Sequence, residues 1–253
     1  MEGRESQELD QVRRGTTPVA FVAGGGQGIG RGVAELLLRR GWHVHVNVRD
    51  EAKRAGLERD LPGAVAHSGD LLDPEAVGAA VEAVVAQSGR LDAVVHAAGP
   101  YMTAPVSEST AADFRGMFDG NVITALNVIH AARPHLRASK GSYLFFGCAG
   151  LERWRAREVT TAYIASKAAL LTLMRGLSLE EAPFGVRANM ISPGFVPHGG
   201  AAPDTLSPDL HERIPLGRPA EMPEVTGAAA WLLSEEASHV VGQNLEVSGG
   251  WML

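Results

Sequence analysis

The 253 residues predict an α/β fold: one doubly wound parallel sheet of about seven strands, with helices on both faces. Three observations carry this expectation. Short apolar runs alternate with longer segments of helical period. The strand-like runs are apolar almost throughout, as strands buried on both faces must be. No linker, repeat or low-complexity block interrupts the alternation. At 45% hydrophobic and 21% charged, the chain has ample apolar sequence for one large core. Residues 17–253 therefore read as a single domain. Residues 1–16 are polar, lack the apolar stretch of a secretory signal, and read as a disordered N-terminal extension.

The elements follow in order. "PVAFVA" is a short strand. "GIGRGVAELLLRRG" has helical period and stops at Gly41. "WHVHVNV" alternates as a strand, and "AVAHSGD" is a third. "PEAVGAAVEAVVAQSG" is a helix with Pro74 at its start. "LDAVVHAAG" is strand, Asp113 to about Ser139 a long helical region, and "SYLFFG" strand again. "TAYIASKAALLTLMRGLSLEEAP" is helix. "VRANMIS", "PEVTGAAAWLLS" and "NLEVSGG" close the chain as strand, helix and strand. The proline-rich segment 195–216 is too irregular for one element and reads as a substrate loop.

Composition excludes several functions. The net charge is −6 and the pI about 5.8, with acids and bases interspersed, so no basic nucleic-acid footprint exists. Cys148, the single cysteine, excludes an internal disulfide framework and fits a reducing cytoplasm. No apolar run is long enough to span a membrane. No metal site is expected.

"AGGGQGIG", Ala23 to Gly30, joins the first strand to the first helix. Glycines there permit a tight turn and bring backbone N–H groups to a pyrophosphate at the helix N-terminus. Gly24, Gly28 and Gly30 have the spacing G-x-x-x-G-x-G, one residue wider than the usual dinucleotide fingerprint.

This wider spacing resembles that of the short-chain dehydrogenase/reductase family, and the resemblance then runs across nearly the whole chain, closest in pattern to 3-oxoacyl-carrier-protein reductases. It implies a Rossmann-type domain. "GDLLD" resembles the family's adenine-side turn, with Asp70 and Leu71 against the cofactor. "HAAG" resembles its N-N-A-G turn, with both asparagines replaced and Ala97, Ala98 and Gly99 at the cofactor. Asn121 stands where the family keeps a catalytic asparagine. "YIASK" supplies Y-x-x-x-K as Tyr163 and Lys167, and "RANMISPGFV" brings Pro193, Gly194 and Val196 to the cofactor. Gly26, Gln27 and Ile29 complete the implied cofactor loop. The family is commonly tetrameric, so a homotetramer or homodimer is implied.

Residues four apart on a helix share a face, so Tyr163 and Lys167 act together. Reducing a ketone needs a proton for the oxygen as hydride reaches the carbon. A free phenol has a pKa near about 10, and a neighbouring ammonium is expected to lower it. The resemblance makes Tyr163 the general acid, Lys167 its tuner, and Asn121 the holder of a relay water. Read from sequence alone, Asn121 is equally an asparagine bonded to helix backbone.

At the tip of the second strand stand Val48 and Arg49, where an NAD-selective relative has an acid. Valine cannot bond the ribose 2′-hydroxyl and arginine suits a 2′-phosphate, which favours NADP(H) over NAD(H). Asp50, one residue on, is the competing detail.

The family's fifth strand usually ends in a serine that bonds the substrate carbonyl. Aligning "YLFFGCAG" on the strand and its glycine puts Gly147 there, with Cys148 next. Counting back from Tyr163 by the family's usual interval reaches Gly150, again without a hydroxyl. Candidate replacements are the Cys148 thiol, or Arg153, Arg155 or Arg157; alternatively the substrate brings its own polar groups and Tyr163 suffices. His198 stands where relatives often have a cofactor-contacting threonine; Tyr101 and Met102 follow "HAAG" and either line the pocket or cap the strand. The expected activity is NADP(H)-dependent reduction of a small-molecule carbonyl, a ketone or 3-oxoacyl compound, free or carrier-bound. The alternatives are a pterin-like C=N reductase and a nucleotide-binding regulatory or scaffold protein.

Overall fold

The computed structural model describes residues 17–153, 156–197 and 212–252. Expectations for residues 1–16, for Arg155 and His198, and for most of the 195–216 loop lie outside the described residues.

Seven parallel strands form one sheet: β1 (Val19–Ala23), β2 (His43–Val48), β3 (Ala64–Ser68), β4 (Ala93–His96), β5 (Ser142–Phe146), β6 (Arg187–Pro193) and β7 (Asn244–Val247). Their order is β3-β2-β1-β4-β5-β6-β7. β1 is central and buried at every residue, which is why its sequence carries no polar alternation. It pairs with β2 on one side and β4 on the other, so the chain reverses direction across the sheet there. In such sheets the crevice at the strand C-termini, at this reversal, is where a ligand lodges.

Two cores sandwich the sheet. One packs α3 (Pro74–Ser88), α5 (Thr124–Ser139) and α6 (Thr161–Glu181) against Phe21, Tyr143 and Phe145. The other packs α1 (Gly28–Arg39) and α7 (Met222–Leu233) against Val22, Val46 and Leu144. Local chemistry sets the boundaries. Asp73 caps α3 by accepting from Glu75 and Ala76 N–H groups, Pro74 opens it, and Gly89 ends it at φ +75°.

Two features differ from expectation. A helix, α2 (Glu51–Asp60), follows β2 and was not anticipated. Only its Leu57 is buried, so it carries no apolar period; Asp50 caps it through the Lys53 N–H at 2.9 Å. The long region after β4 is also not one regular helix. α4 (Ala111–Phe118) runs into a π-turn, Asp119–Ile123, before α5. π-turns are often found at functional sites, and this one holds Asn121.

Candidate active site

The glycine loop between β1 and α1 is built by absent side chains. Gly24 and Gly28 have φ of +84° and +57°. A Cβ on Gly24 would lie 2.6 Å from the Ala98 nitrogen, and one on Gly30 would lie 2.6 Å from the Gly24 carbonyl. The loop thus closes on the Ala97–Gly99 turn. Gln27 is the N-cap of α1, no side chain caps its N–H groups, and no acid stands in the first turn. These uncapped donors fit an anionic pyrophosphate. A Cβ on Gly26 would touch Val48 at 3.1 Å, so the tip of β2 borders the same cradle. Ile29, in the first turn of α1, is half-buried against the second core.

Arg49 is exposed at that tip, with no acid in the position before it. Asp50, the competing residue, is committed to capping α2 and lies 3.8 Å from the Lys53 ammonium. Asp70 folds its own turn by accepting from the Leu72 N–H at 2.9 Å, and Leu71 is buried beside it. Across the crevice, Pro193 ends β6 and the Gly194 N–H donates to the Val247 carbonyl at 2.9 Å. Val196 is buried behind them.

Tyr163 and Lys167 stand on one face of α6. Lys167 is buried, and its Nζ donates to the Phe146 carbonyl at 2.9 Å, which ties α6 to the end of β5. Its Nζ lies 5.7 Å from the Tyr163 ring centre. Burial lowers Lys167 to about 8. Tyr163 is pushed above its ordinary value, first by burial and then by Cys148 and Tyr101. Burial dominates this shift, and the Arg157 cation opposes it. The Tyr101 ring meets Tyr163 edge-on at 4.9 Å, so Tyr101 is a wall of the site.

Asn121 is fully buried. Its Nδ2 donates to the carbonyls of Met117 and Pro100, at 3.0 and 3.3 Å, and to Ser166 Oγ at 3.2 Å. Ser166 in turn donates to the Tyr163 carbonyl at 2.7 Å. The side chain therefore braces three segments around Tyr163. Only Gly fits opposite it: a Cβ on Gly99 would lie 2.1 Å from Asn121 Oδ1. Sequence reasoning missed Ser166, although it lies inside the "YIASK" signature, and it missed His96. His96 is buried; its Nε2 lies 3.0 Å from Thr124 Oγ1, which donates to Gly120. The hydroxyl has one proton, so His96 must donate from Nε2, leaving Nδ1 as a buried acceptor without a partner. The replaced asparagine of "HAAG" was the signal.

Gly147 follows β5 directly. A Cβ there would lie 2.5 Å from Ser192 Oγ and 2.7 Å from Met190 Sδ, so a side chain would enter the β6 side of the core. Cys148 is the next residue. It is buried, and its thiol is pushed up to about 11 by burial, opposed by Arg157 and Lys167. Arg153 donates to the Met252 carbonyl at 2.8 Å and lies 3.8 Å from Glu246, so its guanidinium is engaged at the C-terminal segment.

A nucleotide cradle beside a tyrosine–lysine pair on a doubly wound sheet defines a nicotinamide-dependent oxidoreductase. A family model described as enoyl-(acyl carrier protein) reductase matches residues 23–252. L-Fucose dehydrogenase of Bos taurus is 33% identical over 241 residues, covering 92% of this chain and 88% of that protein. The 3-oxoacyl-[acyl-carrier-protein] reductase of Chlamydia muridarum is 29% identical over 239 residues, covering 91% and 96%. A short-chain type dehydrogenase/reductase from Mycobacterium ulcerans superposes with a TM-score of 0.87 at 30% identity, covering 94% of this chain and 90% of that one. The chain belongs to the short-chain dehydrogenase/reductase family. It is an NAD(P)-dependent oxidoreductase acting on a small molecule. No helix among the described residues is long and apolar enough to cross a membrane.

Proposed function

We propose that this enzyme reduces a small ketone or 3-oxoacyl compound with NADP(H), Tyr163 being the proton donor. The observation that carries the reading is the buried Lys167 ammonium, fixed to the Phe146 carbonyl on the same helical face as Tyr163. When bound, the nicotinamide supplies the hydride. The backbone of Gly24–Gly30, with Gln27 at the cap, holds its pyrophosphate, and Asp70, Leu71, Ala97, Ala98, Gly99, Pro193, Gly194 and Val196 border the rest.

The protein's part is proton transfer and orientation. As the carbonyl carbon is reduced, its oxygen takes the Tyr163 proton. A phenol raised by burial is fully protonated at neutral pH, so the proton is in place when the oxygen needs it. An alkoxide is a far stronger base than a phenolate, so this transfer remains downhill. Lys167 keeps its charge below about 8 and steadies the phenolate that forms. Asn121 and Ser166 hold the Tyr163 backbone, and Asn121 sits beside the relay path. Cys148 takes the serine's role as a weak carbonyl donor.

Arg49 carries the preference for the 2′-phosphate; what supports it is the absence of an acid at Val48 and the capping duty of Asp50. Homo-oligomerisation and carrier-bound acyl substrates belong to the same proposal, by analogy with the relatives. Turnover of a ketone panel by Tyr163→Phe tests the acid. The variant should lose about 10²–10⁴-fold in rate while still binding NADPH. Near-native turnover would move the proton donor elsewhere.

A further inference from the structure

Among the described arginines that are not exposed, Arg31, Arg54, Arg90, Arg133 and Arg137 each pair with a carboxylate. Arg187 donates to the carbonyls of Leu232 and Ser234 at the end of α7. Arg157 differs from all of these. It is half-buried, and among the described residues its side chain donates only to the Ala149 carbonyl. A guanidinium carries five N–H donors, so most of its capacity is unused. Leaving such a charge half-desolvated without a counter-ion costs free energy that an incoming anion would recover.

Its position is fixed from two sides. The Arg157 carbonyl accepts from Thr161 Oγ1 at 3.2 Å, at the first turn of α6 and just ahead of Tyr163. The guanidinium bonds Ala149, the residue after Cys148, and a Cβ on Gly150 would lie 3.2 Å from its Nη2. The Trp251 ring lies 5.8 Å away and screens it on the C-terminal side. The cation therefore stands over the tip of β5. Its field reaches both the Tyr163 phenol and the Cys148 thiol and lowers each against burial.

We propose that Arg157 is a specificity-determining residue and that the substrate is a small oxo acid, its carboxylate on the guanidinium and its carbonyl at Tyr163. The planar fork of arginine matches a carboxylate with two parallel hydrogen bonds, which a neutral ester cannot accept as well. The inference rests on the reductase reading and narrows its substrate. The carboxylate passes through unchanged: C=O becomes CH–OH, the hydride and its electron pair come from NAD(P)H, and the proton comes from Tyr163.

The test uses 2-oxo and 3-oxo acids of four to six carbons, each matched with its methyl ester, and the full-length protein with NADPH and NADH. The native enzyme should favour the best acid over its ester by about 10- to 100-fold in kcat/KM, the worth of one charge-assisted pair. Arg157→Met should collapse that ratio towards unity, chiefly by raising KM for the acid. Arg157→Lys should restore part of it, which a merely structural arginine would not do. Equal use of acid and ester by the native enzyme, or a ratio that survives Arg157→Met, overturns the inference and leaves the reductase reading intact. No reduction of any acid or ester with either nucleotide overturns both.

Discussion

The two sides of the crevice are built on opposite plans. The glycine loop, Gly24 to Gly30, works through side chains that are missing: its shape follows from φ angles and from contacts a Cβ would break. The end of β5, from Gly147 to Arg157, works through side chains that are present, and through where each one aims. Residue type alone specifies the first kind of site. The second depends on where each side chain points just past the end of a strand, which residue type does not record. The comparison explains why Gly24, Gly28 and Gly30 can be read from residue type, whereas the roles of Gly147 and Cys148 turn on where each side chain points.

Four measurements break or sharpen this contrast. The largest effect concerns a polar row on β2 that neither plan uses. His45 is buried, with Nδ1 2.9 Å from His67 Nε2 and Nε2 2.8 Å from Ser88 Oγ. Burial, then the charges of His67 and His43, lower it to about 4 from an ordinary 6.5. The unfolded chain therefore binds the proton more tightly, so stability is full above pH about 6.5 and falls as pH drops toward about 4. Roughly 3 kcal/mol is at stake. Urea midpoints should fall steadily between those pH values, and His45→Leu should flatten part of the slope. A midpoint equal at pH 7 and pH 5 would show that the pair is not held neutral.

Next come the two neighbours at the tip of β5. Gly147→Ser forces atoms against Ser192 and Met190 and should cost about 1–3 kcal/mol in thermal unfolding, with no gain in rate. Cys148→Ser should instead speed reduction of a simple ketone by about tenfold, less than the about 10²–10³-fold of a full oxyanion donor. The reverse pattern would restore Gly147 to the serine's place.

Smallest is the cofactor preference, which belongs to the border of the glycine loop. NADPH should bind at least about tenfold tighter than NADH, or about 1.4 kcal/mol. Arg49→Ala should remove most of that gap in a fluorescence titration. Equal affinities in the native protein would contradict it.

Much of the fold was legible for the same reason as the glycine loop. Apolar runs such as "VAFVA" are buried on both faces and need no aim to be recognised. α2 was missed because its sequence is nearly all polar and its one buried residue, Leu57, sets no period. At the site, Tyr163 and Lys167 were legible from their spacing along one helical face. The brace made by Asn121 and Ser166, the buried His96 acceptor and the placement of Arg157 were not. Each depends on how side chains meet around the end of β5 and the start of α6, and no periodic pattern records that.

The central claim is that protons reach the substrate from Tyr163 with Lys167 charged beside it. The pH dependence of kcat/KM for ketone reduction reads the free enzyme's groups most directly. Lys167 loses its charge as pH rises through about 8, whereas burial holds the Tyr163 proton well beyond that. The account predicts a rate that is level near neutrality and declines above pH about 8, with the decline abolished in Lys167→Met, which is slow throughout. A native profile that stays level to pH about 10, or rises, would contradict it.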